Sequence, residues 1–495
     1  MIRARRLIAV AGLVVGSLGS DIAARDDVEG ERDRLVAALL GATPLEADLE
    51  ALSDRISGRP TGSEANRRAV AWAESRLRDA GVPTRRETFT VPVGWLERSA
   101  RAEVKGEGVQ FAPSIAAMPY SIGTPAEGAS GRLLDGGRGA EADFTRLGAS
   151  AKGAFLLITQ NELADVDALF REYNESAAIE ERAAAAQAAG LVYMSSRAPG
   201  ILYRHNVAVG PANTRPMAVM ERNAANRVLR LLAAATPLTI TLHIDTVVPR
   251  DAQSENVIAE IRGRDRPDEI VIFGSHLDAW DLGAGTLDNG ANIVLLIDVA
   301  RQFMKVGLQP SRTVRFAMWN GEELGMLGSF GYVKTHAAEL DRHVVAESTD
   351  LGCGRITGFF TGGRPDVVAL VDRLLQPVGG LGPFTQLDVP LVGTDNFDFL
   401  LEGVPNLVAN QKPALYGPSY HASNDQMEQC DVGDVKLNAA VIGSLLWGFA
   451  NDTTVLPRHS RADVQALMDR TDLDDQMKTF NLWDEWAKGT RGRKN

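Results

Sequence analysis

The 495-residue sequence has little cysteine, no surplus of basic residues and no low-complexity segment. Its net charge is −12, and it contains no basic patch that would favour binding to nucleic acid or to an anionic membrane. Its two cysteines, Cys353 and Cys430, leave one disulfide and two buried free thiols equally open. What the sequence does have is a hydrophobic content of 45%, which is ample for two packed domains.

The apolar stretch near the N-terminus is too short to cross a bilayer comfortably. Three arginines precede a thirteen-residue apolar core, Leu7 to Gly19, and small residues follow it. This order is typical of a secretory signal peptide, which we place over residues 1–24. We therefore expect a secreted or periplasmic protein with no membrane contact beyond this segment. An uncleaved anchor is the less favoured alternative.

Imidazole and carboxylate side chains recur at separated positions in the C-terminal half of the chain. The motifs are His276-Leu-Asp278, Gly285-Thr-Leu-Asp288-Asn289-Gly290, Asn320-Gly-Glu322-Glu323, Asp350 and His421. A two-metal hydrolytic site needs such groups from several loops, with one carboxylate shared between the metals. A ligand set without thiolate favours zinc first and manganese or cobalt next. Of the two adjacent glutamates, one is expected to be a ligand and the other a free base, so the sequence predicts a hydrolase.

Each motif alone is weak evidence. A lone His-x-Asp is more often a surface pair, and Asp-Asn-Gly is usually a turn. Two glutamates at the start of a helix usually provide only a favourable N-terminal charge. Asp425, taken alone, is interpreted as a solvated loop acid. The order and number of the motifs together favour the metal site. The remaining histidines match no motif and are interpreted as structural or surface residues: His205, His243, His336, His343 and His459.

Hydrophobic patterning places these motifs at the ends of strands. We predict strands over residues 256–261, 269–273, 313–319 and 343–346, and a helix from Ile293 to Met304 that stops at Gly307. His276, the Glu322–Glu323 pair and Asp350 each follow one of these strands, which is where an open α/β sheet places its site. The predicted fold class is α/β, with a mostly parallel mixed sheet flanked by helices.

These segments resemble peptidase family M28, and most of all its carboxypeptidase Q-like branch. The resemblance implies two zinc ions bridged by Asp288. One ion would be held by His276, Asp288 and Asp350, and the other by Asp288, Glu323 and His421.

The same resemblance implies that Glu322 is the general base and that Asp278 fixes the orientation of the His276 ring. Around the third ligand the sequence is Glu347-Ser-Thr-Asp350-Leu-Gly352. The family usually has Glu-x-Asp-x-Gly here. Asp350 and Gly352 match the Asp-x-Gly part, but Glu347 lies one residue further upstream than the family's glutamate. Either this loop is rewired or Ser348 takes the place of the acid. We keep Asp350 as the ligand.

The chain is expected to divide into five parts: a signal peptide (1–24), the N-terminal part of the peptidase domain (25–100), an insertion (101–245), the catalytic domain (246–452) and a C-terminal extension (453–495). Within the insertion, a buried strand over 153–158 and an alanine-rich helix over 183–189 resemble a protease-associated domain. The insertion is expected to roof the cleft and restrict substrate length, with a passive stabilising role equally open. No role is assigned to the extension.

The expected function is that of an exopeptidase, an aminopeptidase or dipeptidase that hydrolyses dipeptides and short peptides. A glutaminyl cyclase-like acyltransferase, which works with one zinc, is one alternative. A non-catalytic binding protein on the same fold is another, and it predicts missing ligands. We expect a peptide substrate and no nucleic acid partner, and leave a homodimer open.

Overall fold

The computed structural model describes residues 28–163, 166–413 and 415–494. The predicted signal peptide lies outside the described residues. The helices are α1 (28–40), α2 (Leu45–Glu50), α3 (Glu64–Asp79), α4 (Glu141–Leu147), α5 (Val166–Ala185), α6 (Arg222–Ala233), α7 (Ala291–Lys305), α8 (Leu327–Thr335), α9 (Pro365–Leu375), α10 (Phe397–Leu401), α11 (Tyr416–Ser419), α12 (Val432–Asn451), α13 (Arg461–Arg470), α14 (Leu473–Thr479) and α15 (Trp483–Ala487). The strands are β1 (Thr84–Val93), β2 (Leu96–Gly106), β3 (Val109–Phe111), β4 (Ile115–Ala117), β5 (Ala129–Asp135), β6 (Phe155–Ile158), β7 (Gly190–Met194), β8 (Met217–Met220), β9 (Leu238–Val247), β10 (Arg250–Ile261), β11 (Arg266–His276), β12 (Arg312–Trp319), β13 (His343–Ser348), β14 (Ile356–Phe360) and β15 (Asn406–Gln411).

The first sheet has seven strands in the order β1-β10-β12-β11-β13-β15-β14. Its central pairings, β12 with β11, β11 with β13 and β13 with β15, are parallel, whereas the pairings nearer its edges are antiparallel. The predicted mixed α/β fold is confirmed, with the parallel part confined to the middle of the sheet. Because β11, β12, β13 and β15 run the same way, their carboxyl ends share one edge.

Both faces of this sheet are covered, which explains why its central strands are continuous apolar runs. Val271 and Phe273 on β11 face a core built with α3, α7 and α12. Ile270 and Ile272 on the same strand face the opposite way, toward side chains of α8 and α10. The side chains of β11 therefore alternate between two apolar layers.

The second sheet has eight strands in the order β3-β2-β9-β5-β6-β7-β8-β4. The chain leaves the first sheet after Val93 and returns to it at Arg250, so residues 94–249 form an insertion between β1 and β10. The second sheet begins at Leu96 and ends at Val247, close to the predicted bounds of 101 and 245.

One predicted element of the insertion is misplaced. The alanine-rich segment 183–189 is not a helix of its own, because α5 begins at Val166 and ends at Ala185. Gln187 has a φ of 55°, which takes the backbone out of the helical conformation. The alanine-rich composition indicated only the last turns of this helix, and its long amphipathic first part was not predicted.

The C-terminal extension packs on the first sheet's domain through a compact apolar cluster. Leu473, Met477 and Trp486 belong to this cluster, together with Met326 and Val392 of the catalytic part. Arg491 donates to both carboxylate oxygens of the buried Asp398, each at 2.7 Å. The extension is therefore integrated into the fold.

Cys353 and Cys430 are joined as a disulfide, with their Cα atoms 5.8 Å apart. This resolves the two alternatives that the sequence left open. Within the part of the chain that the structure describes, no helix combines the length and apolar character needed to cross a membrane.

Candidate metal centre

The candidate ligands converge at the shared carboxyl edge of the parallel strands. His276 is the last residue of β11, Glu323 follows β12, and Asp350 follows β13. Asp288 lies in an irregular turn between β11 and α7, and His421 follows α11. The structure thus brings together all five residues that the sequence analysis assigned as metal ligands.

His276 faces two carboxylates. Its Nε2 atom lies 3.1 Å from Asp288 Oδ1 and 2.9 Å from Asp350 Oδ1. On the other side of the ring, Nδ1 lies 2.9 Å from the main-chain carbonyl oxygen of Asp278, which accepts its N–H. This hydrogen bond leaves Nε2 free to act as a metal ligand.

His421 forms a second group with the other side of Asp288. Its Nε2 atom lies 2.9 Å from Glu323 Oε2 and 3.4 Å from Asp288 Oδ2. Asp288 therefore presents one oxygen to each histidine, as a bridging carboxylate would. One ligand atom from each of His276, Asp288 and Glu323 lies within 4.8 Å of the others.

Unsatisfied polar atoms test whether this donor set fits zinc. Asp288 Oδ2 and Glu323 Oε1 are buried, and the described residues offer neither of them a hydrogen bond. Buried polar atoms are normally paired, so lone pairs left open between several donors indicate a cation site. A cavity of about 10 Å³ lies among Asp288, Glu323 and His421. The oxygen and imidazole donors suit zinc.

The electrostatics of the centre point the same way. Burial raises the pKa of the Glu322 and Glu323 carboxyls well above their ordinary values. Burial lowers the pKa of His421 to about 4. Burial also disfavours the protonated form of His276. The negative charges of Asp350 and Asp288 outweigh this effect and raise the pKa of His276 well above its ordinary value. So many buried carboxylates need a positive charge nearby, which a divalent cation supplies.

The Asp278 carboxylate supports the glutamates as well as the histidine. Its nearer oxygen is 3.8 Å from His276 Nδ1, further than the main-chain carbonyl that accepts the ring N–H. The carboxylate accepts hydrogen bonds from Thr61 Oγ1 at 2.5 Å and from the backbone amides of Glu322 and Glu323 at 3.3 and 3.4 Å. It thereby fixes the turn that carries both glutamates.

Ser348, at the end of β13, occupies the position where the family has its upstream acid, and Asp350 follows in the loop. The Ser348 hydroxyl is hydrogen-bonded to Thr394 Oγ1 at 2.8 Å, whereas the Asp350 carboxylate faces His276. Glu347, the acid upstream, is buried within the sheet and accepts a hydrogen bond from the Thr349 hydroxyl at 2.7 Å. Burial raises the pKa of Glu347 to about 8. The shifted acid is thus a core residue of the strand.

Two residues that sequence reasoning did not assign hold the ligand loops in place. Arg59 is buried and donates to the carbonyl oxygens of Ala284 and Gly285, each at 2.9 Å. The interpretation of Asp425 as a solvated acid is wrong, because it is 3% exposed. It accepts hydrogen bonds from the backbone amides of Leu287 at 2.7 Å and Asp288 at 3.2 Å.

A cleft of about 320 Å³ opens from the centre. Its walls come from the catalytic part, the insertion and the C-terminal extension. The lining residues are Tyr120, Leu169, Tyr173, Asn206, Val207, Ala208, Gly210, Pro211, Glu322, Glu323, Leu324, Gly325, Met326, Asp350, Leu351, Phe360, Leu391, Val392, Gly393, Thr394, Tyr416, Tyr420, His421, Thr479, Phe480 and Asn481. Among these described residues there is no lysine or arginine, and the charged side chains beside the centre are acidic.

This arrangement, an α/β sheet with histidines and carboxylates at its carboxyl edge, is that of a metal-dependent hydrolase. Residues 256–446 match the model of peptidase family M28. The chain is 28% identical to carboxypeptidase Q of Bos taurus, over 83% of this chain and 86% of that protein. It is 27% identical to carboxypeptidase Q of Xenopus laevis, over 82% and 85%.

Solved structures agree. A peptidase M28 precursor from Shewanella amazonensis is similar with a TM-score of 0.78 and 25% identity, over 88% of this chain and 99% of that one. A zinc aminopeptidase from Bacillus subtilis shares the fold with a TM-score of 0.66 and 18% identity, over 82% and 94%. Residues 256–446 thus form a peptidase M28 domain, and the chain is similar to M28 peptidases over most of its length, which confirms the resemblance and the peptidase class predicted from the sequence.

Proposed function

We propose that this peptidase is an exopeptidase with two zinc ions that removes residues from the free N-terminus of dipeptides and short peptides. The observation that carries this proposal is the charge of the cleft. Its described lining has carboxylates beside the metal centre and no lysine or arginine. Such a lining provides no cationic side chain to pair with the terminal carboxylate of a substrate, which favours binding through the ammonium end.

Asp288 is the residue proposed to bridge the two ions. His276 and Asp350 would complete the ligands of one ion, and Glu323 and His421 those of the other. When bound, the zinc ions supply Lewis acidity and lower the pKa of a water molecule. Each carboxylate oxygen of Asp288 faces a different histidine, which supports this assignment of the ligands to two ions.

Glu322 is the proposed general base. The neighbouring Glu323 carboxylate lies 2.9 Å from His421 and so belongs with the ligands, whereas Glu322 is half-buried and lines the cleft. Held by Asp278 through its backbone amide, Glu322 takes a proton from the attacking water and passes it to the leaving amine.

The insertion is proposed to be a protease-associated-like unit that roofs the cleft. Tyr173, Asn206 and Val207 of the insertion line the cleft, which supports a limit on substrate length. Secretion or export to the periplasm is proposed from the N-terminal pattern of residues 1–24, and the disulfide between Cys353 and Cys430 is consistent with an oxidising compartment.

The two alternatives fit the site less well. A glutaminyl cyclase-like enzyme works with one zinc, whereas two histidines on opposite sides of Asp288 favour two. A binding protein predicts lost ligands, whereas all five assigned residues and Glu322 lie at the centre.

The test uses one short apolar peptide in three forms: free, N-acetylated and C-amidated. Acetylation removes the ammonium charge and should lower kcat/KM by roughly 10- to 100-fold, the range for a hydrogen bond to a charged group. Amidation should cost much less. If acetylated peptides were hydrolysed as fast as free ones, and internal bonds of casein were cut as well, the enzyme would be an endopeptidase.

A further inference from the structure

We infer that the C-terminal extension, residues 453–494, forms the third wall of the substrate cleft, and that Phe480 at its tip selects an apolar side chain next to the scissile bond. This inference rests on the proposed exopeptidase function. It gives a role in substrate choice to a segment for which the sequence suggested none.

The extension is firmly attached on the catalytic side. Its apolar cluster includes Met326, in the same turn as Glu322 and Glu323, and Val392, in the loop before α10. The side chain of Gln476 accepts a hydrogen bond from the backbone amide of Val392 at 3.0 Å. The extension therefore supports a cleft-lining loop directly.

The tip of the extension also reaches the insertion. Thr479 Oγ1 donates to Asn174 Oδ1 at 2.6 Å, and Asn481 Nδ2 donates to the carbonyl oxygen of Ala208 at 2.8 Å. These two contacts flank Phe480 on either side. They fix its position between the insertion and the catalytic part.

Phe480 presents an apolar surface to the cleft. Its ring is half-buried and lies 6.0 Å from the ring of Tyr173, which lines the cleft from the insertion. Close packing on the catalytic side depends on Gly393, whose φ is +101°, because a Cβ atom there would lie 3.3 Å from the Phe480 ring. Leu391, Val392 and Val207 complete this part of the lining.

The chemistry of this wall differs from that of the metal centre. The acidic groups Glu322, Glu323 and Asp350 lie at the centre, whereas the lining around Phe480 is apolar or neutral. A peptide bound by its ammonium group beside the acids would cover the apolar wall with a side chain. Water would then leave an apolar surface, which favours leucine or phenylalanine over glycine or glutamate.

The experiment measures kcat/KM for two dipeptide series, X-Ala and Ala-X, where X is leucine, phenylalanine, glycine or glutamate. The zinc-loaded wild type should prefer leucine and phenylalanine over glycine by roughly 10- to 100-fold in one series, as expected for a pocket of this kind. Phe480→Ala and Phe480→Gln should lose most of this preference, and Phe480→Leu should keep it. In Phe480→Ala and Phe480→Gln, kcat/KM for the leucine and phenylalanine substrates should fall more than kcat/KM for the glycine substrate.

Val455→Ala is the matched control, since Val455 belongs to the extension and is 81% exposed, away from the cleft lining. Zinc content and thermal melting of each variant separate a lost subsite from a lost fold. If the wild type cuts no dipeptide in either series, the proposed exopeptidase function fails. If it cuts them without an apolar preference, or if both Phe480→Ala and Phe480→Gln fold and retain that preference, the inference about the extension is overturned.

Discussion

The carboxylate of Asp425 accepts a hydrogen bond from the backbone amide of Asp288, the residue whose two oxygens face His276 and His421. Asp425 lies only four residues after His421. The loop that provides one histidine thus also fixes the turn that provides the shared carboxylate. Burial raises the pKa of Asp425 to about 7. This buried carboxylate positions the backbone of the turn through its hydrogen bonds to the amides of Leu287 and Asp288.

Asp425→Asn should weaken zinc binding without removing a ligand. An amide keeps one acceptor oxygen but turns an N–H group toward the amides of Leu287 and Asp288, so one hydrogen bond is lost. We expect a fall in zinc affinity of about 10- to 100-fold, the range for residues that orient metal ligands. Competition with a fluorescent chelator measures it. Glu428→Gln, at an exposed acid of the same loop, is the control, and an unchanged affinity in Asp425→Asn would remove Asp425 from this role.

Replacing the proposed ligands should separate the bridging residue from the others. Elemental analysis of wild-type protein purified without chelator should approach two zinc ions per chain. Asp288→Asn should lose both, because each ion shares that carboxylate, whereas His276→Ala and His421→Ala should each lose mainly one. His243→Ala, on β9 of the insertion, should leave the zinc content unchanged. A fully active wild type with a single zinc would contradict the bridged arrangement.

The two adjacent glutamates should respond differently to the same substitution. Glu322→Gln preserves shape but lacks a basic carboxylate, so it should retain zinc and lose about 10²- to 10⁴-fold in kcat. Glu323→Gln should instead release zinc, because the Glu323 carboxylate lies 2.9 Å from His421. Activity and zinc content measured on the same preparations decide the assignment. A zinc-poor Glu322→Gln beside a zinc-replete Glu323→Gln would reverse the two roles.

Glu180 should make stability depend on pH. It is buried in α5, where burial raises the pKa of its carboxyl to about 7, compared with about 4.3 in an unfolded chain. The folded state therefore holds this proton more tightly. The stabilisation that this proton gives to the fold is complete below the pKa of Glu180 in the unfolded state. It is lost as the pH rises through the pKa of Glu180 in the folded state.

Glu180→Gln mimics the protonated form and keeps an oxygen for the backbone amide of Ala208, which donates to Glu180 at 2.8 Å. The melting temperature of the wild type, relative to this variant, should fall between about pH 4.5 and pH 7.5, the window that these pKa values define. The exposed neighbour Glu181 provides the control, Glu181→Gln. Parallel melting curves for wild type and Glu180→Gln across this window would show that Glu180 does not titrate there.

Local patterns in the sequence were sufficient to place the ligands. The apolar runs of β11, β12 and β13 are buried on both faces, so each is visible as a short strand, and His276, Glu323 and Asp350 follow from their ends. Once the strands are parallel and adjacent, their carboxyl ends must meet. Geometry that depends on one strand end was therefore predictable.

Geometry that depends on contacts between distant segments of the chain could not be predicted from the sequence. Arg59 reaches the carbonyl groups of Ala284 and Gly285 across more than two hundred residues, and no periodicity records that approach. Asp425 has the composition of a surface loop, and only its burial reveals its task. The position of Phe480 depends on two distant segments. Its neighbour Asn481 donates to Ala208 of the insertion, and its own ring packs beside Gly393 of the catalytic part.

The insertion begins and ends at a single point of the catalytic sheet. Val93 is paired with Arg250, and the backbone amide of Gly94 donates to the carbonyl oxygen of Pro249 at 2.8 Å. A tight turn from Val93 to Arg250 would therefore keep β1 and β10 as a simple hairpin. Both chain connections of the second sheet lie at this one point, so the order of the strands that carry the ligands does not depend on the insertion.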